Sequence, residues 1–254
     1  MYHMERKALR RAAVIRTVFL AGASGAIGRR LAPLLISDGW RVCGTTRTTT
    51  KAESLRELGV EPIVLDIFDK AAVIAAVLEA RPDVVIHQLT DLPPALDPAR
   101  MAEAAPRNAR IRDEGTRNLV AAAVNACSPR FIAQSVAFAY AEKALPYEEG
   151  DALAVTAEGR AGVSARGVAS LETQVLGAPF TGIVLRYGRL YGPGTGFDTP
   201  PGSAAVHVDA AAKAAAQAAR MGESGIYNVA EDDGTLITDK AQKALAWQSA
   251  WRMS

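Results

Sequence analysis

The feature that most constrains this chain is Gly22-Ala-Ser-Gly25-Ala-Ile-Gly28, which follows directly on the apolar run Thr17-Val-Phe-Leu-Ala21. After it, apolar residues from Ile27 to Ile36 recur at helical spacing, with Pro33 set inside the helix as a possible kink. A strand must therefore turn sharply into a helix over three glycines. Gly22 permits the tight turn, Gly25 lets a ligand approach the backbone, and Gly28 allows close packing of helix on strand. The helix start offers free N–H groups and the positive end of the peptide dipole, which suits a pyrophosphate. Such a turn can also be a plain tight connection. Its place at the first strand–helix junction of an alternating pattern favours a dinucleotide site lined by Gly22, Ser24, Gly25, Ala26, Ile27 and Gly28.

The alternation continues along the chain. Strands are predicted at Arg41–Thr46, Glu61–Leu65, Asp83–His87, Arg130–Gln134, Gly182–Arg186 and Gly225–Val229. Helices are predicted at Lys51–Leu58, Lys70–Ala80, Arg107–Asn125, 165–176, Ala210–Met221 and Asp239–Trp247. The strands are apolar on both faces, as in a parallel sheet covered by helices on each side. The fold class is α/β, a doubly wound parallel sheet.

Composition narrows the function classes. The 254 residues are 49% hydrophobic and 22% charged, enough for one full core and too apolar for intrinsic disorder. No uninterrupted apolar run reaches the roughly 18 residues of a membrane span. The net charge of +2 is uneven: residues 1–16 hold Arg6, Lys7, Arg10, Arg11 and Arg16 against Glu5 alone, so the body from 17 to 254 is net negative. That leaves no nucleic-acid footprint and marks 1–16 as a basic extension outside the fold. Cys43 and Cys127 are too few for a disulfide framework and suit a reducing cytoplasm, and no metal-ligand spacing appears.

The glycine spacing, together with Asp66, Asp83-Val-Val-Ile-His87-Gln88-Leu89, Asn108, Gly115-Thr116-Arg117-Asn118-Leu119, Arg186-Tyr-Gly-Arg-Leu-Tyr-Gly-Pro-Gly194, His207-Val-Asp209 and Tyr227-Asn-Val229, resembles the extended branch of the short-chain dehydrogenase/reductase superfamily, its NAD(P)-dependent epimerases and dehydratases. The resemblance runs from Thr17 through nearly the whole chain. It implies a Rossmann-type fold, adenine contact at Asp66 and Ile67, and nicotinamide-side contact at His87, Gln88 and Leu89. It also implies a possible homodimer through the long 107–125 helix. Relatives add a large C-terminal substrate cap; here only 188–206 and 231–254 remain for one, so the cap is reduced.

An NAD-selective site places an acid at the end of the second strand. Here Thr45-Thr46-Arg47 carries none, and a guanidinium can pair with a 2′-phosphate. Arg47 thus points to NADP, with NAD possible and a solvated loop arginine as the alternative.

The resemblance also implies a catalytic tyrosine with a lysine four residues on, since a tyrosine of pKa near 10 is a weak base unaided. This pair is missing. Tyr140 is followed four residues later by Ala144 and Tyr147 by Asp151, and residues 148–185 contain neither tyrosine nor lysine. Counted back from Glu172, the lysine position falls on Val168 and the tyrosine position on Ser164. Ser135 is a candidate substrate-orienting hydroxyl and Tyr140 a candidate substitute acid, each with local hydrogen bonding or packing as the alternative. His87 and His207 have buried or loop-anchoring alternatives. Arg186, Tyr187 and His207 lie where ligands of open α/β sheets bind.

The expectation is an NAD(P)-binding, epimerase/dehydratase-like oxidoreductase acting on a small polar carbonyl or hydroxyl compound without the usual pair. A non-catalytic NADP(H)-binding sensor is the alternative.

Overall fold

Burial on both faces explains why the strands stack side by side. In a computed structural model describing residues 16–93 and 96–253, every residue of β1 (Thr17–Ala21) and β4 (Val84–His87) is buried, so these two strands occupy the middle of the sheet. The basic segment, apart from Arg16, lies outside the described residues. β2 (Arg41–Thr46), β3 (Glu61–Val64), β5 (Arg130–Val136), β6 (Thr181–Tyr187) and a late strand complete a seven-stranded sheet whose pairings are all parallel. Before that late strand, β7 (Arg189–Tyr191) and β8 (Ala205–His207) form a separate parallel ribbon; the late strand is β9 (Gly225–Val229). The order β3-β2-β1-β4-β5-β6-β9 reverses direction between β1 and β4, which opens a crevice there at the C-terminal strand ends.

Helices cover both faces. α1 (Ala26–Ser37), α2 (Thr49–Glu57) and α7 (Val208–Ala218) pack on one side, where Leu31, Leu35, Leu55 and the alanines of α7 meet β1 and β6. α3 (Lys70–Ala80), α5 (Thr116–Asn125) and α6 (Gly159–Leu176) cover the other, around Phe19, Val77, Leu119, Phe131 and Leu171. Local chemistry starts the helices: Asp69 Oδ1 accepts the Ala72 N–H at 3.0 Å to cap α3, and Thr48 Oγ1 accepts that of Lys51 at 3.4 Å to cap α2.

Two helices begin well ahead of the starts that the sequence pattern predicts. The predicted 107–125 helix starts at Met101 as α4 (Met101–Arg110), carries Pro106 inside it, and passes through a π-helical turn at Ile111–Gly115 into α5. α6 begins at Gly159, ahead of the predicted 165, because tertiary packing holds a glycine-poor-propensity first turn in place.

The tail after β9 does more than line a cleft. Ala241 of α8 (Asp239–Ala244), Leu245 and Trp247 sit in the same core as β6 and α7, and Trp247 Nε1 donates to the Ala210 carbonyl at 2.8 Å. Trp247→Ala should therefore lower the unfolding free energy in urea by about 3–5 kcal/mol, the usual cost of emptying a buried tryptophan site. A loss below about 1 kcal/mol would show that this tail is not part of the core.

Candidate functional site

The glycine loop is shaped by backbone contact. Gly22 has φ +89°, and a Cβ there would stand 2.7 Å from the Gln88 carbonyl oxygen. A Cβ on Gly28 would stand 2.3 Å from the Gly22 oxygen, so helix α1 lies tight against the turn. Gly25 is less crowded: a Cβ there would meet only the Gly22 oxygen within 4 Å, at 3.3 Å. Gly25 is also the N-cap of α1, with no side-chain cap and no acid in the first turn. The free N–H groups and the dipole therefore face outward uncompensated. Two hydroxyls at the end of β2 brace the loop from behind. Thr45 Oγ1 accepts the Gly22 N–H at 3.2 Å, and Ser24 Oγ donates to Thr46 Oγ1 at 3.4 Å.

Around the loop, the strand ends carry the other expected residues. Arg47 is exposed and ion-paired to Asp91 at 3.1 Å, a carboxylate that Arg107 also engages at 2.8 Å. Asn108 fixes this acid by accepting its N–H at 2.9 Å and donating to its carbonyl at 3.0 Å. Asp66 is exposed beyond β3 and accepts the Phe68 N–H at 3.0 Å; Ile67 is buried, with its carbonyl accepting from Asn118 at 2.9 Å.

His87 is 1% exposed and fully committed. The Leu89 N–H donates to Nδ1 at 3.2 Å, so the ring proton sits on Nε2, which faces Thr116 Oγ1 at 3.2 Å. Burial, aided by the charge of Arg112, pushes its pKa down to about 3. Gln88 is buried beside it; its Nε2 donates to Tyr187 Oη at 3.4 Å.

The opposite wall gathers round one carboxylate. Ser135 Oγ donates to Glu172 Oε1 at 2.8 Å, and Arg186 grips both Glu172 oxygens at 2.8 and 2.7 Å. All three are buried. Arg186 also donates to the Glu149 carbonyl at 3.1 Å and lies 4.7 Å over the Tyr140 ring. Tyr140 Oη donates to Asn228 Oδ1 at 2.6 Å, its ring stacks on Tyr147, and burial raises its pKa. The hydroxyls of Ser135 and Tyr140 thus both donate to buried partners.

Tyr187 is fully buried in the core, its hydroxyl against Gln88, and burial raises its pKa as well. Arg186 and Tyr187 point to opposite faces of β6 and both are buried: Arg186 packs against Glu172 on one face, and Tyr187 enters the core on the other. His207 caps α7, its Nδ1 accepting the Asp209 N–H at 3.2 Å, and its ring meets Tyr191 edge-on. Among the described residues no group of three or more His, Cys, Asp or Glu could hold a metal.

Ser164, Val168 and Glu172 share the inward face of α6, four residues apart. Counted back from Glu172, the positions that the resemblance assigns to the tyrosine and lysine hold a small hydroxyl and a buried apolar side chain. Sequence reasoning missed Arg112, whose Nη1 donates to Ser164 Oγ at 2.9 Å. The spacing of Asn108, Arg112 and Thr116, the two flanking residues buried, was the available signal.

Known proteins place this geometry. Residues 18–223 match the family described as NAD dependent epimerase/dehydratase. The chain belongs to that family. It is 38% identical over 237 residues to a 3-diazoavenalumate denitrifying reductase of a Streptomyces species, covering 85% of this chain and 76% of that protein. Its fold matches a UDP-glucose 4-epimerase of Thermotoga maritima solved with UDP-glucose, at TM-score 0.74 and 18% identity over 93% of this chain and 94% of that one. It also matches the Bordetella bronchiseptica enzyme WbmG in complex with NAD, at TM-score 0.72 and 16% identity over 96% and 92%.

The His87 environment fixes a pH dependence. The neutral ring is favoured in the folded state, so its contribution is present above the unfolded pKa near 6.5 and is lost as pH falls towards about 3. Stability in urea should fall by up to about 1.4 kcal/mol per pH unit below 6.5 from this group, and His87→Gln should flatten that slope. An unchanged slope in the variant would mean that His87 titrates normally.

Proposed function

We propose that this protein is an NADP(H)-dependent reductase whose small acceptor takes up hydride without needing a proton from the enzyme. The observation that carries this reading is the filled proton-transfer position. Ser164 and Val168 stand where the resemblance requires the tyrosine and lysine, and the hydroxyls of Ser135 and Tyr140 already donate to Glu172 and Asn228. A carbonyl acceptor would leave an alkoxide to be protonated, and the hydroxyls of Ser135 and Tyr140 are already donors elsewhere.

A diazonium acceptor has no such need, because the new C–H bond forms as nitrogen leaves. When bound, NAD(P)H supplies the hydride: R–N2⁺ + NAD(P)H → R–H + N2 + NAD(P)⁺, balanced without a proton. The 38%-identical relative is named for reduction of a diazo compound with loss of nitrogen, which supports this acceptor class here. The chain's own part is to bind and orient. The Gly22–Gly28 loop and the α1 N-terminus would hold the pyrophosphate, with Asp66 and Ile67 beside the adenine side and His87, Gln88 and Leu89 walling the nicotinamide side. Neutral His87 adds no charge there. Arg47 would exchange Asp91 for the 2′-phosphate, a stronger acceptor for a guanidinium. Buried Arg186 and Tyr187 would set the floor of the acceptor site and His207 its far edge. A homodimer through α5, where Val124 is exposed, and a cytoplasmic setting complete the reading.

The test is consumption of NADPH with 4-carboxybenzenediazonium as the acceptor, matched by benzoate formed, above the rate without protein. Arg47→Ala should weaken NADPH binding about tenfold and leave NADH binding unchanged. An unchanged NADPH/NADH ratio would remove the NADP assignment, and tight NADPH binding without turnover would make the protein a binding protein instead.

A further inference from the structure

Among the described residues, two partly buried arginines form no ion pair: Arg130 at the start of β5, whose Nη1 donates to three carbonyls, and Arg112, at the opposite end of the sheet. Arg112 sits in the π-helical turn Ile111–Gly115, between Asn108 and Thr116, both buried. It is partly buried itself. Its Nη1 reaches Ser164 Oγ at 2.9 Å and the Ser164 carbonyl at 3.5 Å, while Nε and Nη2 have no acceptor among the described residues. It forms no ion pair there either. The nearby carboxylate of Glu172 is spent on Ser135 and Arg186. A partly buried cation without a counter-ion is costly to fold around, and a protein keeps one where a ligand supplies the missing anion. π-Helical turns recur at functional sites for the same reason: they cost stability and re-aim a side chain.

The position is informative too. Ser164 lies on the inner face of α6, two turns before Glu172, and the Arg112 charge is felt by His87 at the end of β4. The guanidinium is therefore held between the C-terminal end of β4 and the first half of α6.

We infer that Arg112, steadied by Ser164, is the subsite for an anionic oxygen of the acceptor, a carboxylate or a phenolate. This rests on the reading that the acceptor binds at the C-terminal edge of β4 to β6, and it does not depend on diazonium chemistry. The planar fork, with its Nε and Nη2 N–H groups free of acceptors among the described residues, matches an oxyanion in two-point contact. It also explains how a site without tyrosine or lysine orients its substrate: one end is clamped by charge, and the other is left facing the hydride.

The test uses the full-length protein, free and loaded with NADP⁺, and measures binding of benzoate, 4-nitrophenolate and neutral benzamide by calorimetry. Wild type should bind one or both anions at least about tenfold more tightly than benzamide, and the preferred anion tells carboxylate from phenolate. Arg112→Met should abolish that preference, and Arg112→Lys should restore part of it. NADP⁺ affinity and thermal midpoint should hold or rise in Arg112→Met, because an unpaired cation has been removed; a purely structural arginine would lower the midpoint. Equal binding of anions and benzamide by wild type, or an anion preference that survives in Arg112→Met, would overturn the inference. Failure of NADP⁺ to bind at all would count against the proposed function alone, since the free protein still decides the anion question.

Discussion

Glu172 is the residue on which the catalytic end of this sheet depends. Its carboxylate is buried, and its oxygens are shared by Ser135 from β5 and Arg186 from β6. One side chain of α6 thereby locks two adjacent strands and the helix above them. Breaking such a pair by removing one partner generally costs about 3–5 kcal/mol, because a charge is left buried alone. The consequence for function is as large as that for stability. Ser135 is drawn into the pair as a donor, and Arg186 packs over Tyr140, whose own proton goes to Asn228. The hydroxyls of Ser135 and Tyr140 are thus both engaged in holding the wall together.

What is left exposed to a ligand is of a different kind. The loop from Gly22 to Gly28 offers backbone N–H groups and a helix dipole, braced by Thr45 and Thr46. Arg47, Arg107 and Arg112 offer positive charge around the crevice, the first two balanced by Asp91 and the third balanced by nothing among the described residues. On the proposed reading, this favours anion binding over acid–base catalysis. Membership of the epimerase/dehydratase family and the likeness to a diazo-compound reductase agree with a cleft specialised in this direction.

How much was legible in the sequence follows from how local each cause is. The strands could be placed because burial on both faces writes a continuous apolar run, and the glycine loop because its contacts are close in sequence. Pro106 breaks the local helical signal ahead of Arg107, although α4 tolerates it, and glycines at 159 and 162 weaken the signal for the first turns of α6. The β7–β8 ribbon left no trace, being two three-residue strands joined only by tertiary pairing. In the site, absence of tyrosine and lysine from 148–185 was plain, as was the alignment of Ser164 and Val168 with Glu172. The inward commitment of Arg186 and Tyr187 was not, because it follows from the register of β5 with β6, where Ser135 pairs with Arg186 and Val136 with Tyr187. Arg112 hid among the many charges of an amphipathic helix until the structure placed it against Ser164.

The central claim is that hydride alone, without an enzyme proton, completes the reaction at the acceptor carbon. It is tested most directly by isotope labelling of the product. With NADPH carrying deuterium at its transferable C4 position in ordinary water, the benzoate formed from 4-carboxybenzenediazonium should carry that deuterium at the carbon that lost nitrogen. With unlabelled NADPH in D2O it should carry none. Deuterium entering that carbon from the solvent would contradict the account, because it would require the proton donor that Ser164 and Val168 do not supply.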